Sequence, residues 1–155
     1  MGTLTSPISE EHLVALGRVT ANFSQLEDEL NRLAWDLVGD FIVGQIVTAE
    51  LSFKALLNLV SALGRHRLGE AALMTELQEA IAKAATAEDE RNVIIHSIWF
   101  AGHTNDDVHR VKITAKRKVG RRVQSEQVSP ADIEKVAQHL AEATFVVMQV
   151  HAKHR

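Results

Sequence analysis

The feature that most constrains the fold is a stripe of apolar residues near the start of the chain, spaced three and four residues apart in turn. That spacing returns to one side of a helix at every turn, so it predicts one long amphipathic α-helix. Ser9 followed by two acids is a favourable start for this helix, and Gly39-Asp40 is expected to end it. The stripe consists of Leu13, Leu16, Val19 or Thr20, Phe23, Leu26, Leu30, Leu33 and Leu37.

Three shorter patterns follow this helix. Residues 41–51 are densely apolar and predict a short, largely buried helix. Ser52 is a good N-cap for the next helix, which is expected to stop within residues 64–69. A second long helix is predicted from about Glu70 to Phe100, because apolar residues recur there at helical spacing.

The pattern then changes to a two-residue period, which is typical of a β-strand. Residues 108–116 alternate in this way, and residues 121–128 can pair back on them as a hairpin spanning about 108–128. Ser129-Pro130 begins a last helix, whose apolar stripe ends at His151. The expected fold is mainly α, a four- or five-helix up-and-down bundle with a β-hairpin inserted before the last helix.

Composition narrows the class of protein. With 155 residues, 46% of them hydrophobic and 24% charged, we expect a single globular domain over 1–155. The chain has no cysteine, so disulfides and thiolate metal sites are excluded and the cytoplasm is the expected location. The first residues lack the basic and apolar regions of a secretory signal. No apolar run approaches the roughly 20 residues of a membrane helix, so no membrane contact is expected.

Charge is concentrated in the predicted hairpin. Residues 108–125 hold seven basic residues and no acid, a net charge of +7. Because the whole chain has a net charge of −3, the remaining residues carry −10. A basic element on an acidic body favours an anionic partner, and RNA is a common one. The alternative is a solvated ribbon whose cations discourage edge pairing. The candidate RNA-binding residues are Arg110, Lys112, Lys116, Arg117, Lys118, Arg121 and Arg122.

The segment from Arg91 to His96 keeps a cation, an amide and an imidazole near the end of the second long helix. An arginine can clamp a phosphate and an imidazole can move protons near neutral pH. Asn92 is four residues before His96, so its amide can orient the ring, and Trp99 could form an aromatic wall beside it. Arg91 and His96 differ by roughly 140° around an ideal helix. Their convergence requires a distorted turn, an arginine reaching round, or two copies of the helix.

Arg91-Asn92-x-x-x-His96 resembles the Arg-x(4–6)-His signature of the HEPN superfamily, and the order of elements around it resembles a group of uncharacterised bacterial HEPN-like proteins. The resemblance implies a helical homodimer that cleaves RNA without metal or other cofactor, with the RNA 2′-hydroxyl as nucleophile. His96 would handle the proton, Arg91 would stabilise charge on the phosphate and Asn92 would position either group. It also suggests a role in host defence or a toxin–antitoxin system, with an antitoxin as a possible protein partner.

Two other interpretations of this segment stay open. The chain could be a non-catalytic HEPN-like module that binds RNA, a nucleotide or a protein through the same cleft. The segment could also be structural, with Arg91 paired to Glu88 or holding a dimer together.

The remaining polar residues indicate no second site. The acids of residues 27–29 are expected on a solvated face, although any of them could contact Arg91. Glu50 and Lys54 have the spacing of a helical ion pair. His151 and His154 have one-turn spacing but lie beside charged residues at the chain end, so we expect them to be solvated, and no metal is predicted.

Overall fold

The computed structural model describes residues 8–102, 108–116 and 120–155, with the backbone alone for 114–116. The chain is mainly α, with a small antiparallel sheet inserted before the last helix, which confirms the predicted fold class. The elements are α1 (Glu10–Val38), α2 (Phe41–Thr48), α3 (Phe53–Arg67), α4 (Ala71–Ile95), β1 (Ile98–Ala101), β2 (Val108–Lys116), β3 (Gly120–Gln127) and α5 (Pro130–His154).

The predicted limits of α1 are confirmed. The Ser9 hydroxyl accepts a hydrogen bond from the His12 backbone N–H, and Gly39 ends the helix with φ 82°, a left-handed conformation that favours glycine. The predicted stripe is wrong at Leu13, which is 44% exposed, whereas His12 is buried. The first turns are rotated because His12 reaches the Val128 carbonyl oxygen, 2.9 Å away.

The core lies between α1 and the helices around it. α1 packs against α5, α3 and α2, and α4 packs against α5. Small buried alanines on α4 let α5 approach closely, as the alanine-rich middle of that helix indicates. The fully buried side chains at the centre include Leu26, Leu30, Leu33, Val60, Leu77 and Leu140.

The expectation that residues 41–51 form a largely buried helix is wrong. α2 ends at Thr48, and Gly44 and Thr48 are the residues it buries. Gly44 lies so close to α1 that an added Cβ would be 2.8 Å from the Trp35 Cα atom. Because the smallest residues face inward, the large apolar side chains project into solvent, namely Phe41, Ile42, Val43, Ile46 and Val47.

The predicted extension of the second long helix to Phe100 is also wrong. α4 ends at Ile95, and the residues after it form β1, so the inserted element is a three-stranded sheet of order β1-β2-β3 rather than a hairpin alone. Isoleucine, tryptophan and phenylalanine in succession favour a strand once β2 is present to pair with them. Trp99 lies opposite Arg110 in this pairing.

The predicted alternation along β2 is confirmed, and it divides the sheet into two faces. Residues paired across antiparallel strands share a face. Trp99 and Val108 lie on one face, where Trp99 packs on the core and Val108 is buried. The other face exposes Ile98, Phe100, Ile113 and Val123. Among the described residues, no helix is both long and apolar enough to cross a bilayer.

Candidate functional site at the end of α4

Arg91 is a residue of α4, and its half-buried side chain extends toward α1. Its guanidinium carbon is 4.3 Å from the centroid of the Phe23 ring, which is a cation–π distance. Phe23 in turn contacts Phe53 of α3, with ring centroids 5.0 Å apart. The side chain of Arg91 is therefore directed toward an aromatic pair on neighbouring helices and away from the solvent beyond the end of α4.

The hydrogen bonds of Arg91 leave a buried donor unused. Its Nη1 donates to the Asn92 Oδ1 atom at 2.8 Å. Its Nε is buried and has no hydrogen-bond partner among the residues that the structure describes. Within the described part of the chain, no carboxylate forms an ion pair with Arg91, Glu88 included, and Glu29 contacts His151 instead. Among the described residues, this half-buried cation therefore has the Asn92 amide oxygen as its side-chain acceptor and no carboxylate partner.

His96 is the C-cap of α4, and its ring is exposed. Its backbone N–H donates to the Asn92 carbonyl oxygen at 3.1 Å, so the helix stays regular up to this residue. The expected orientation of the ring by the Asn92 side chain is not observed, because that Oδ1 atom binds Arg91.

The two motif residues consequently do not meet within one protomer. A regular helix separates them by roughly 140° around its axis, and Arg91 is turned toward Phe23. Of the three routes to convergence, the distorted turn is absent and the arginine does not reach round. A second copy of the helix is the route that remains.

Trp99 does not stand where a continuous helix would put it. It belongs to β1, is half-buried, and packs against the hydrophobic core. The expected aromatic wall beside His96 assumed a continuous helix, whereas α4 ends at Ile95 and Trp99 lies in β1.

The predicted basic residues of the hairpin fall into several groups. Arg110 is largely buried, forms an ion pair with Glu126 and donates to the Ser97 hydroxyl at 3.4 Å. Glu126 lies one residue beyond the acid-free segment, so the sequence count overstated the charge at Arg110. Lys112 is half-buried opposite Gln124, and Lys116 lies opposite Gly120. Arg117 and Lys118 lie outside the described residues.

Arg121 and Arg122 are exposed, and being consecutive in β3 they point to opposite faces of the sheet. By the strand register, Arg122 lies on the same face as Arg110 and Lys112, while Arg121 lies on the opposite, apolar face, so most of the described cations share one face. A shallow cavity of about 570 Å³ lies against the strands and is lined by Arg110, Val123, Gln124, Ser125 and Glu126.

A second cluster of ionisable groups lies between α1 and α5, and the sequence reasoning missed it. His151 is buried and contacts both Glu29 and Asp36, so the expectation that it is solvated is wrong. The sequence signal for its burial is its position on the apolar stripe of the last helix. Within the described residues, no group of three His, Asp or Glu side chains has the arrangement of a metal site.

Another buried histidine has a structural role. The His12 Nε2 atom lies 2.9 Å from the Val128 carbonyl oxygen, which can only accept, so this nitrogen carries the proton. Its Nδ1 then accepts from the Ser9 hydroxyl at 2.7 Å. Both ring nitrogens are satisfied, and His12 joins the start of α1 to the junction between the sheet and α5.

Comparisons of the chain with protein-family models, with curated proteins and with solved structures found no match in any of the three. The candidate site is therefore interpreted from its own geometry.

Proposed function

We propose that this chain is a HEPN-like RNA-binding protein that cleaves RNA without a metal ion, at a cleft to which two copies contribute Arg91 and His96. The observation that carries the proposal is the environment of Arg91. This half-buried cation has a buried N–H without an acceptor and has no carboxylate partner among the described residues. A phosphate group that reaches the guanidinium would supply the negative charge that the described residues lack.

His96 suits the second role in such a reaction. It is exposed at the end of α4, where an imidazole can take up and return a proton near neutral pH. In the proposed step, the 2′-hydroxyl attacks the adjacent phosphorus and passes its proton to one histidine, while the 5′-oxygen leaves with a proton from the other. The products are a 2′,3′-cyclic phosphate and a 5′-hydroxyl end, and the balance needs no oxidant or cofactor.

The test of cleavage uses labelled RNA, a metal chelator and purified protein. Wild type is expected to produce 2′,3′-cyclic ends, while His96→Ala and Arg91→Ala lose at least tenfold in rate, since one acid–base group contributes about 10²–10⁴-fold. The matched controls are His66→Ala and Arg65→Ala, because both residues are exposed in the last turn of α3. Equal rates for wild type and His96→Ala would contradict the proposal.

The proposal needs a second copy, and two exposed apolar surfaces are available to bury one. The first is the outer side of α2, where Ile46 is 70% exposed. The second is the apolar face of the sheet, where Val123 is 53% exposed. Contiguous apolar surface of this kind is typical of interaction sites.

The oligomeric state decides between these surfaces. Light scattering on wild type, Ile46→Gln and Val123→Gln is expected to give a dimer for wild type and a weaker dimer for the variant at the interface. A monomeric wild type over the whole concentration range would contradict the composite cleft. If both variants have the same mass in solution as the wild-type dimer, neither surface is the site of contact.

A second candidate function is that of a non-catalytic HEPN-like module that binds RNA, a nucleotide or a protein partner such as an antitoxin. The observation that favours it is the divergence of Arg91 and His96 within one protomer. It predicts that RNA is recovered intact and that affinity falls with salt, because phosphate contacts release counterions. Cleavage by wild type alone would exclude this alternative.

A further inference from the structure

His151 occupies an unusual position on α5, between two acids of α1. Its Nδ1 atom lies 2.6 Å from the Glu29 Oε1 atom, and its Nε2 atom lies 2.6 Å from the Asp36 Oδ2 atom. Glu29 and Asp36 are seven residues apart, so two turns of helix bring them to the same side of α1. The ring is 4% exposed and spans the distance between them.

Proton counting limits what this arrangement can be. An ionised carboxylate can only accept, so each contact requires a hydrogen on the facing ring nitrogen. A neutral imidazole carries one such hydrogen, and two ionised acids supply none. The observed geometry therefore holds one proton more than a neutral histidine beside two carboxylates.

The neighbouring groups indicate where that proton resides. Asp36 also accepts from the Arg155 Nε atom at 3.0 Å. The hydrogen bond from His151, followed by the contact with Arg155, lowers the pKa of Asp36 although burial opposes this, so Asp36 is the charged partner. The extra proton then belongs to His151 and Glu29, and the strongest donor arrangement is a doubly protonated ring.

The charges around the cluster balance when the ring is protonated. Glu29 and Asp36 carry two negative charges, and the protonated ring and Arg155 carry two positive charges. Arg32 lines a small cavity beside the ring and forms an ion pair with Asp28. Lys153 forms an ion pair with Glu76 of α4. Loss of the proton would leave an unbalanced negative charge beside the buried ring, on carboxylates that are partly exposed. The charged or titratable groups facing the ring and its turn are Glu29, Arg32, Asp36, Glu76, Lys153, His154 and Arg155.

We propose that Glu29, His151 and Asp36 form a proton-dependent clamp, which holds the last turns of α5 on α1 and loosens as the pH rises past neutrality. When the ring becomes neutral, one of its nitrogens presents a lone pair to a carboxylate, and that contact becomes repulsive. The clamp borders a cavity of about 390 Å³ lined by Trp35, Asp36, Phe41 and Arg155 among others, so its release changes the surface where α2 begins. This inference does not depend on the proposed RNA function.

The direction of the pH effect follows from the proton count. The clamp needs one proton more than a neutral ring between two ionised acids carries. Stability from the clamp is therefore present while that proton is bound and is lost as the pH rises and the folded chain releases it. This is opposite to the contribution of Asp36 itself, which is lost on acidification.

Nitrogen-15 NMR of the histidine rings in the intact chain tests the protonation directly. His151, assigned by its absence in His151→Gln, is expected to keep the pattern of a doubly protonated ring at pH 7.5. The exposed rings of His66 and His96 in the same spectrum serve as the reference. A neutral tautomer of His151 at pH 7 would overturn the proposal, and this measurement needs only the wild type to be folded.

Thermal unfolding tests the mechanical consequence. The difference in melting temperature between wild type and His151→Gln is expected to shrink by at least half from pH 6.5 to pH 9. Glu29→Gln keeps an acceptor but removes a charge, so it should also flatten the pH dependence, whereas His66→Gln should retain the wild-type slope. A constant difference between wild type and both clamp variants would overturn the clamp.

Discussion

Trp35 donates its indole N–H to the Thr48 hydroxyl at 2.9 Å, and this hydrogen bond holds α2 against α1. The Thr48 hydroxyl in turn donates to the Gly44 carbonyl oxygen at 2.9 Å. α2 is thus attached by the Trp35 indole, the Thr48 hydroxyl, the close approach of Gly44 and an edge-to-face contact of Phe41 with Trp35 at 5.2 Å, while its other large side chains stay exposed. The attachment explains how an apolar segment remains on the surface of the bundle.

Gly44→Ala tests this attachment. The new methyl group would meet the Trp35 backbone and side chain at 2.8 Å, so we expect a loss of about 1–3 kcal/mol in the free energy of unfolding. Gly17→Ala is the matched control, because nothing lies within 4 Å of its added Cβ and α1 should gain about 0.4–1 kcal/mol. Denaturant unfolding measures both, and equal effects would contradict the close packing of α2.

His12→Ala is expected to destabilise the start of α1. The variant removes two buried hydrogen bonds and leaves the Val128 carbonyl oxygen without this donor, which typically costs about 1–3 kcal/mol. Hydrogen exchange should accelerate at both the first turn of α1 and the start of α5. His66→Ala on the exposed end of α3 should change stability by less than about 0.5 kcal/mol. Protection of the α5 amides identical to wild type would contradict the link.

The start of α5 should weaken in acid. Hydrogen bonds from the Ser129 hydroxyl and backbone N–H, with Lys135 nearby, lower the pKa of Asp132 from 3.8 to about 2. The capping contribution is therefore complete above about pH 4 and is lost as the pH falls through about 2. The stability difference between wild type and Asp132→Asn should shrink over this interval. Asp89→Asn, at an exposed position of α4, is the matched control. A pH-independent difference for Asp132→Asn would contradict the capping box.

Arg121 and Arg122 should contribute to RNA binding through charge alone. Each exposed arginine replaced by glutamine is expected to lower the slope of affinity against salt by about one and to weaken binding of different sequences equally. Filter binding at several salt concentrations measures the slope, with Arg65→Gln on α3 as the control. An unchanged slope in both β3 variants would show that the sheet is a solvated ribbon.

Local signals predicted most of the elements. The caps at Ser9, Ser52 and Ser129 hold because each serine hydroxyl accepts from a backbone N–H three residues later. The alternation along β2 was also predicted correctly, because a strand's two-residue period is a property of its own backbone. These predictions needed no knowledge of which elements meet.

The errors occur where distant residues decide. The end of α4 depends on β2, which supplies hydrogen bonds that turn residues 98–101 into a strand. The exposure of α2 depends on Trp35, against which only small residues fit. Hydrophobic composition predicts that a segment can be buried, but the shape of the neighbouring surface determines which of its sides is buried.

The sequence by itself determined the helices, their caps, the alternating strands and the presence of an arginine and a histidine five residues apart. Tertiary structure alone decided that Arg91 turns toward Phe23, that Arg110 is neutralised by Glu126, and that His151 lies between two acids. The physical reason is that hydrogen bonds within an element link residues a few positions apart. A side chain's charge partner and burial are set by whichever elements pack against it.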